Sequence, residues 1–360
     1  RSSAFGFYCS LIFSLLFSLG CTVFKAPLLT IVGADSTTSQ ATAEYLKWTV
    51  TFGAAPAILN VVMAYLVRSE GSTMHASIGT MSGCLLNILL DPIFVLPWGF
   101  DMGAAGAGLA TFLSNCFACL YFFALLFVRR GKTYVCVDPR KFCLRRSIVF
   151  GVFAVGVPAS IQNLLNVTGM TILNNFTSAY GANAVAAMGI SYKIYMIPMY
   201  VSQGLGQGIM PLVSYNYASG NAKRMKHAVT FSAKSILCLM VTIAAIYFAA
   251  PGFFVSLFMD SQAIIDYGSR FLRGFCLGLP FLSIDFLGVG VYQAIGLGRY
   301  SLIFAIMRKI VLEIPALFIL NYFAPLYGLA YAQFCAELVL GIAAVITLSR
   351  IFKRVEQNAA

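Results

Sequence analysis

Residues 104–128 read AAGAGLATFLSNCFACLYFFALLFV, and this stretch contains no charged side chain. A helix needs about 20 apolar residues to cross the roughly 30 Å hydrocarbon core of a bilayer, so the stretch predicts a transmembrane helix. The same imbalance holds for the whole chain, because 60% of its 360 residues are hydrophobic and 10% are charged. A soluble domain carries about 25% charged residues. We therefore predict an all-α, polytopic membrane protein.

Long apolar runs separated by short polar segments divide the chain into ten predicted spans. They lie at 5–32, 47–67, 76–97, 104–128, 147–178, 184–213, 228–258, 267–295, 301–322 and 327–350. Prolines fall inside or beside most of these runs, among them Pro27, Pro158 and Pro251. A proline removes a backbone donor and bends a helix, and such bends in a membrane face another helix or a cavity. Several of the spans are therefore expected to be bent or broken.

The polar segments between the spans alternate in charge. One set is basic and contains Arg1, Arg68, Arg129, Arg130, Lys132, Arg140, Lys141, Arg145, Arg146, Lys223, Arg224, Lys226, Arg299, Arg350, Lys353 and Arg354. The other set is mainly acidic and contains Asp35, Glu44, Asp101, Asp260 and Asp266. Cytoplasmic loops carry the excess of Lys and Arg, so we expect the basic set and both chain ends in the cytoplasm. The net charge of +12 is then a membrane feature, and no nucleic-acid partner is predicted.

Short matches between the two halves of the chain indicate an internal repeat. Pro56 corresponds to Pro280, and the GLA at 108–110 corresponds to the GLA at 328–330. One repeat step covers six spans, an even number, so both halves point the same way across the membrane. The two halves are therefore predicted to be related by a parallel pseudo-twofold axis.

The polar segment 131–146 separates the two halves and is predicted to be a cytoplasmic linker. It leaves an N-terminal lobe at 1–130 and a C-terminal lobe at 147–354. Residues 147–224 contain two spans without a counterpart in the first lobe. We therefore expect two six-helix lobes, of which the chain contains ten helices and lacks the first two.

The signatures of common enzymes do not occur in the sequence. It contains no HExxH, no GxSxG and no GxxxxGK[ST] motif, and we predict no enzymatic activity and no bound cofactor. Gly204, Gly206 and Gly208 lie in the middle of a predicted span without a preceding strand, so they favour close helix packing over a nucleotide loop. His75 and His227 stand near cytoplasmic helix ends and are interpreted as structural.

Polar groups inside the apolar spans are the candidates for function, because charge is costly at the centre of a bilayer. Asn87 and Asp91 are four residues apart, hence on one helix face, and Pro92 follows them directly. Their oxygens can bind a proton or a small cation. The alternative is an Asp-Pro turn at a helix end, and the spacing alone does not decide between the two.

Two further acidic residues stand inside predicted spans of the second lobe. Glu313 follows Lys309 by four residues, so a structural ion pair is the favoured interpretation. Asp285 has no such local partner, and we interpret it as facing a cavity.

A stripe of amides marks the span 147–178. It consists of Gln162, Asn163, Asn166, Asn174 and Asn175. The following span adds Tyr195, Met199, Tyr200, Gln203 and Gln207. Aromatic and methionine side chains adapt to varied organic cations, so this mixture suits a permissive pocket. It suits helix packing equally well.

Two motifs carry a resemblance to a known family. In the first lobe they are LVRSEG at 66–71, Asn87 with Asp91-Pro92, and GAAGAGLAT at 103–111. In the second lobe GLGQGIMPLVSYN at 204–216 is followed by Gly220-Asn221 and Arg224. With these motifs the sequence resembles the multidrug and toxic compound extrusion (MATE) family, and within it the MepA-like branch.

The resemblance implies site residues as well as a fold of twelve spans. Its cation site in the first lobe combines a first-helix aspartate with residues that correspond to Asn87, Asp91 and Thr111, and Na⁺ is one possible occupant. The first-helix aspartate has no counterpart in this chain. Some members have an acidic residue where this sequence has Gln162, and Asp285 resembles an acidic position used in others.

The function implied by the resemblance is export of small organic, often cationic, compounds in exchange for protons or Na⁺. We expect substrate contacts from Gln162, Asn166, Tyr195, Met199 and Gln203, a cell-membrane location and a monomer embedded in lipid. Two alternatives remain open. A flippase for lipid-linked oligosaccharides would need a basic cleft, to which only Lys193, Arg308 and Lys309 could contribute. A membrane-embedded enzyme is disfavoured because the sequence shows no catalytic cluster.

Overall fold

A computed structural model describes residues 2–32 and 38–359, and within these residues the regular structure is helical throughout. The helices are α1 (Ser2–Val23), α2 (Lys25–Val32), α3 (Ser39–Leu46), α4 (Ala54–Ser69), α5 (Thr73–Val95), α6 (Gly103–Val128), α7 (Arg146–Ser178), α8 (Ala182–Ala218), α9 (Ala222–Ala249), α10 (Pro251–Ser256), α11 (Gln262–Ala294), α12 (Gly298–Ile306), α13 (Ile314–Phe323) and α14 (Gly328–Ala359). Two π-helical segments, Lys47–Phe52 and Met307–Glu313, precede α4 and α13. Asp35, from the predicted acidic set, lies outside the described residues.

The predicted all-α membrane fold is confirmed. Eight helices within the described part of the chain are long and apolar enough to cross a bilayer, namely α1, α5, α6, α7, α8, α9, α11 and α14. Helices α3 and α4, bent by 49° against each other, together form a ninth candidate. Most of the long apolar helices expose large hydrophobic side chains, such as Phe13 and Phe127, as lipid-facing helices do.

The predicted span at 301–322 is not one regular helix. It consists of α12, the π-helical segment Met307–Glu313 and α13, and three charged residues, Arg308, Lys309 and Glu313, lie within it. Other predicted spans also break near prolines. The chain leaves helical geometry at Ala250, directly before Pro251 at the start of α10.

The internal repeat is visible in the order and position of the helices. The helices α1, α2, α3, α5 and α6 correspond in order to α9, α10, α11, α12 and α14, each starting about 225 residues later. At the same shift α4 corresponds to the second part of α11. The packing partners correspond as well, because α4 contacts α1, α5 and α6, while α11 contacts α9, α12 and α14. Helices α7 and α8 have no counterpart among the described residues of the first half.

The chain forms two compact units, Arg1–Val152 and Phe153–Ala360. In the first unit the core collects around Phe7, Met63 and Phe122 on α1, α4 and α6. In the second unit α11 is the central helix, because it packs against α8, α9 and α14 and is largely buried. The division lies a few residues after the predicted linker 131–146.

The linker itself packs on the first unit. The carboxylate of Glu70 accepts hydrogen bonds from the hydroxyl of Thr133, at 2.6 and 2.8 Å, and from the backbone N–H of Tyr134, at 2.8 Å. The hydroxyl of Tyr8 donates to the carbonyl of Val137 at 2.7 Å. These contacts fix the start of the basic segment on α1 and on the end of α4.

Helices α8 and α11 cross at a pair of glycines. A Cβ atom added to Gly290 would lie 2.7 Å from the carbonyl oxygen of Gly206, and one added to Gly206 would lie 2.9 Å from the carbonyl oxygen of Phe286. The packing role that we predicted for the glycine run is therefore confirmed at Gly206. Gly204 and Gly208 have no atom within 4 Å of an added Cβ.

Gly290→Ala is expected to destabilise the protein, because the added methyl group would meet the backbone of α8. Overpacking of this kind costs about 1–3 kcal/mol. Thermal unfolding in detergent measures the loss, and Gly208→Ala serves as the matched control, with unchanged or slightly raised stability. Equal unfolding temperatures for the two variants would contradict the close crossing of α8 and α11.

Candidate functional site

Asn87 and Asp91 form the polar feature of α5. The amide Nδ2 of Asn87 donates a hydrogen bond to Oδ1 of Asp91 at 3.3 Å, and both side chains are half-buried. The helix continues past Pro92 to Val95, so Asp91 lies in the last turn of the helix and not in a separate turn. Pro92 has no N–H for the carbonyl of Ile88, which leaves one more backbone oxygen beside these side chains.

Helix α6 places Thr111 at the same height along the helix pair as Asn87 and Asp91 on α5. Helices α5 and α6 are antiparallel neighbours, since Gly79 lies against Phe122, Gly83 against Ala118, and Gly106 against Phe94. This register places Thr111 level with the turn that contains Asn87 and Asp91.

The three predicted residues therefore gather at one level of the α5–α6 pair. The hydroxyl of Thr111 donates to the carbonyl of Ala107 at 3.0 Å, so its oxygen still has lone pairs to offer. Together the side chains of Asn87, Asp91 and Thr111 present one negative charge and several oxygen atoms, which are the ligands that hard cations prefer.

Two asparagines that we did not single out extend this polar region. Asn115, one turn after Thr111, accepts a hydrogen bond from the amide of Asn60 on α4 at 3.2 Å. Its own amide donates to the carbonyl of Thr111 at 2.9 Å. The oxygen of Asn60 is buried without a hydrogen bond among the described residues. The spacing of Thr111 and Asn115, four residues apart on one helix face, is the sequence signal for this extension.

The second unit contains a buried cluster of five charged side chains. Asp285 on α11 forms a direct ion pair with Arg308 on the π-helical segment, and Nε of Arg308 lies 3.4 Å from Oε1 of Glu337 on α14. Nζ of Lys309 donates to the two carboxylate oxygens of Glu313 at 2.8 and 2.6 Å. As whole residues, none of the five is more than 5% exposed. We refer to these residues as the charge cluster.

The charge cluster confirms one interpretation and corrects another. The ion pair between Lys309 and Glu313, predicted from their spacing, is present. The cavity-facing position predicted for Asp285 is wrong within its own unit, because the side chain is completely buried against Arg308. Sequence spacing reveals partners on the same helix, whereas Asp285 and Arg308 stand on different segments.

Glu337 is the residue of the charge cluster that sequence reasoning missed. It is the one acidic residue in the apolar span 327–350, so it met the criterion that singled out Asp285. Both of its carboxylate oxygens are buried, and neither makes a hydrogen bond among the described residues.

Tyr195 connects the predicted substrate residues to the charge cluster. The side chain of Gln333 donates a hydrogen bond to the hydroxyl of Tyr195 at 2.8 Å, and Gln333 lies one turn before Glu337 on α14. Tyr195 is completely buried and packs against the rings of Tyr192 and Phe275. A substrate can therefore reach its ring only after α8 or α11 moves.

The other predicted substrate residues are only partly covered. Met199 and Gln203 continue the face of α8 on which Tyr195 lies, and both are half-buried. Gln162 on α7 accepts from the hydroxyl of Ser301 at 3.5 Å, and Gln293 donates to that hydroxyl at 3.0 Å. These contacts favour helix packing as one role of Gln162.

Asn166 lies one turn before Gly169, where α7 contacts the charge cluster. A Cβ atom added to Gly169 would lie 2.9 Å from Cδ of Lys309, so the lysine stem packs directly on the backbone of α7. Asn166 itself is half-buried. The amide stripe thus passes close to the charge cluster on the side of Lys309.

An internally repeated helical bundle with ionisable groups buried between its helices is typical of secondary transporters. The family model described as MatE matches residues 1–93 and 158–319. The multidrug export protein MepA of Staphylococcus aureus (strain bovine RF122 / ET3-1) is 33% identical over 346 residues, which cover 96% of this chain and 75% of MepA. The chain belongs to the MatE family.

A further relative agrees with this assignment, and a solved structure shares the fold. The protein named MepA in Staphylococcus saprophyticus is 32% identical over 364 residues, with 99% of this chain and 78% of the relative covered. A crystal structure of a MATE protein in complex with MaL6 superimposes with a TM-score of 0.91 at 24% identity, over 99% of this chain and 80% of that one. The likeness in fold thus extends over almost the whole chain.

Proposed function

We propose that the protein exports small organic, often cationic, compounds across the cell membrane in exchange for protons or Na⁺. The observation that carries this proposal is the gathering of Asn87, Asp91 and Thr111 at one level of α5 and α6 in a chain of the MatE family. Relatives named multidrug export protein MepA support the substrate class.

Ion binding at Asp91 is the event that would drive the exchange. A proton or Na⁺ entering there neutralises the carboxylate, and the oxygens of Asn87 and Thr111 complete the surroundings of the ion. The neutral site favours one arrangement of the protein, and bound drug favours the other. Exchange follows because each ligand binds the two arrangements with different affinity.

Asp285 is the second carboxylate proposed for coupling. Its ion pair with Arg308 gives it a different task from that of Asp91, because a cation can bind Asp285 only when the guanidinium moves away. A change in the position of Arg308 would therefore accompany any binding of an ion to Asp285.

Substrate recognition is proposed along α7 and α8. Gln162, Asn166 and Gln203 offer polar contacts, while Met199 and the buried ring of Tyr195 offer adaptable apolar and aromatic contacts. Such a surface accepts many organic cations, because it relies on few directional hydrogen bonds.

The orientation in the membrane follows from the loop charges. The basic ends of α4, α6 and α9, with the segment that contains Arg140 and Arg146, are proposed to face the cytoplasm together with both ends of this chain. Drug release would then take place on the opposite side of the cell membrane.

Efflux measured in vesicles tests the proposed function. The full-length protein, reconstituted with a fluorescent cationic dye, should move the dye only while an ion gradient is present. Collapse of either the proton or the sodium gradient identifies the coupling ion, because one of the two treatments should stop efflux. Dye movement at an undiminished rate with both gradients collapsed would contradict exchange.

The flippase alternative requires a basic surface that faces the lipid-linked sugar. Of the three candidate cations, Arg308 and Lys309 are buried in ion pairs with carboxylates, and only Lys193 is exposed. The charge cluster therefore favours drug and ion exchange over recognition of an anionic lipid.

A further inference from the structure

The charge cluster has more acidic than basic groups. Asp285, Glu313 and Glu337 face two cations, Arg308 and Lys309. With every group ionised, the cluster would bear one uncompensated negative charge while nearly excluded from solvent. Burial of an unpaired charge is strongly unfavourable, and such a group takes up a proton instead.

The contacts identify the carboxylate that lacks its own cation. Lys309 donates to both oxygens of Glu313, and Asp285 is in direct contact with Arg308. Glu337 has only the longer contact to Nε of Arg308, at 3.4 Å, and is 1% exposed. The oxygens of Asp285 and of Glu337 alike make no hydrogen bond among the described residues, so the direct contact of Asp285 with Arg308 is what distinguishes the two.

Among the residues that the structure describes, the neighbours of Glu337 on other helices supply no cation besides Arg308 and Lys309. Helix α11 contributes Asp285, the segment before α13 contributes Arg308, Lys309 and Glu313, and α8 contributes Tyr192 and Tyr195. On α9, Lys226 forms its ion pair with Glu356, about five turns further along α14.

We propose that Glu337 is a proton-binding carboxyl group of the second unit, and that it exchanges its proton for an organic cation bound beside Tyr195. The exchange role rests on the proposed function. In the resting state an O–H bond on the carboxyl group keeps the charge cluster neutral. Arrival of a cation supplies the missing positive charge, so the O–H bond breaks, the carboxylate forms and water accepts the proton.

Tyr195 lies close to the turn of α14 that contains Glu337. The side chain of Gln333, one turn before Glu337, donates a hydrogen bond to the hydroxyl of Tyr195. The guanidinium of Arg308 lies over the ring of Phe286, with its carbon 4.6 Å from the ring centre. A cation that enters between α8 and α14 would therefore act on Glu337 at close range in a poorly solvated region, where charges interact strongly.

Infrared difference spectroscopy on the purified full-length protein locates the proton without any transport. We expect a carbonyl band of a protonated carboxylic acid at neutral pH that shifts with ¹³C-labelled glutamate and is lost in Glu337→Gln. A band that responds only to labelled aspartate, or that persists in Glu337→Gln, would overturn the proposal.

Two isosteric variants separate Glu337 from Glu313, which is buried to a similar extent. Glu337→Gln imitates the protonated group and should unfold at the same temperature as the unmodified protein. Glu313→Gln removes the partner of Lys309 and should unfold at a clearly lower temperature. The reverse order would place the proton on Glu313 and overturn the proposal.

Proton release on binding of tetraphenylphosphonium, followed with a pH indicator in weak buffer, tests the exchange. Glu337→Gln should release one proton fewer per bound cation than the unmodified protein. Equal release, with a loss in Asp91→Asn, would refute the role of Glu337 and leave the proposed function intact. If vesicles show no dye exchange at all, the proposed function fails, while the infrared band still decides where the proton lies.

Discussion

Asp91→Asn in the full-length protein is expected to lower gradient-driven efflux of a cationic dye about 5- to 150-fold, the range that corresponds to a typical coupling free energy. Asparagine has the size of aspartate, and its Oδ1 can still accept the hydrogen bond from Asn87. The variant should therefore fold and bind dye, while it lacks the negative charge that attracts the coupling ion. Efflux rates from vesicles with an imposed gradient provide the measurement.

The matched control for this variant is Asp101→Asn. Asp101 is an exposed residue between α5 and α6, so the same chemical change there should leave efflux unaltered. If Asp91→Asn transports dye as fast as the unmodified protein, Asp91 is not the coupling residue.

Arg308→Met is expected to lower the free energy of unfolding by about 3–5 kcal/mol, the usual cost of removing one partner from a buried ion pair. Arg308 is 2% exposed and faces both Asp285 and Glu337. Its loss leaves Asp285 buried with no cation of its own, beside the carboxyl group of Glu337. Unfolding of the purified protein in detergent measures the change.

Two further variants test whether Arg308→Met loses stability through the missing charge or through altered packing. Arg299→Met, which removes an exposed cation from α12, should change stability little. Asp285→Asn and Glu337→Gln combined with Arg308→Met should recover most of the lost stability, since the uncompensated buried charge that makes a broken ion pair costly is then absent. A triple variant as unstable as Arg308→Met would show that the guanidinium acts by packing and not by charge.

The helices could be predicted because a bilayer imposes one length and one composition on each of them. The apolar run at 104–128 identified α6 to within one residue at each end. The run at 228–258 instead covers most of α9 together with α10, and α14 continues nine residues past the predicted end at 350. The predicted span at 301–322 is not a single apolar helix. It contains a π-helical turn, and Arg308 in this turn contacts Asp285 on α11 and Glu337 on α14. No property of the segment by itself reveals those contacts.

The polar sites were predictable only where partners stand on one helix. The pairs Asn87 with Asp91 and Lys309 with Glu313 follow from a spacing of four residues. The contacts of Arg308 with Asp285 and Glu337 join three segments, so the spacing of these residues in the sequence does not predict the contacts. Glu337 could still have been noticed as a lone acidic residue in an apolar run, whereas its shortage of cations is a property of the folded unit.

The π-helical turn at Met307–Glu313 makes the directions of its side chains sensitive to the number of residues in the segment. A π turn accommodates one residue more than an α turn. Deletion of one residue there would allow a regular α-helix with little rotation of its two sides, whereas insertion of one residue between Arg308 and Glu313 would rotate one side by about 100° relative to the other. Arg308 and Glu313 would then point in new relative directions, so a chain lengthened by one amino acid could keep its helix and its membrane span while the ion pairs of the charge cluster are lost.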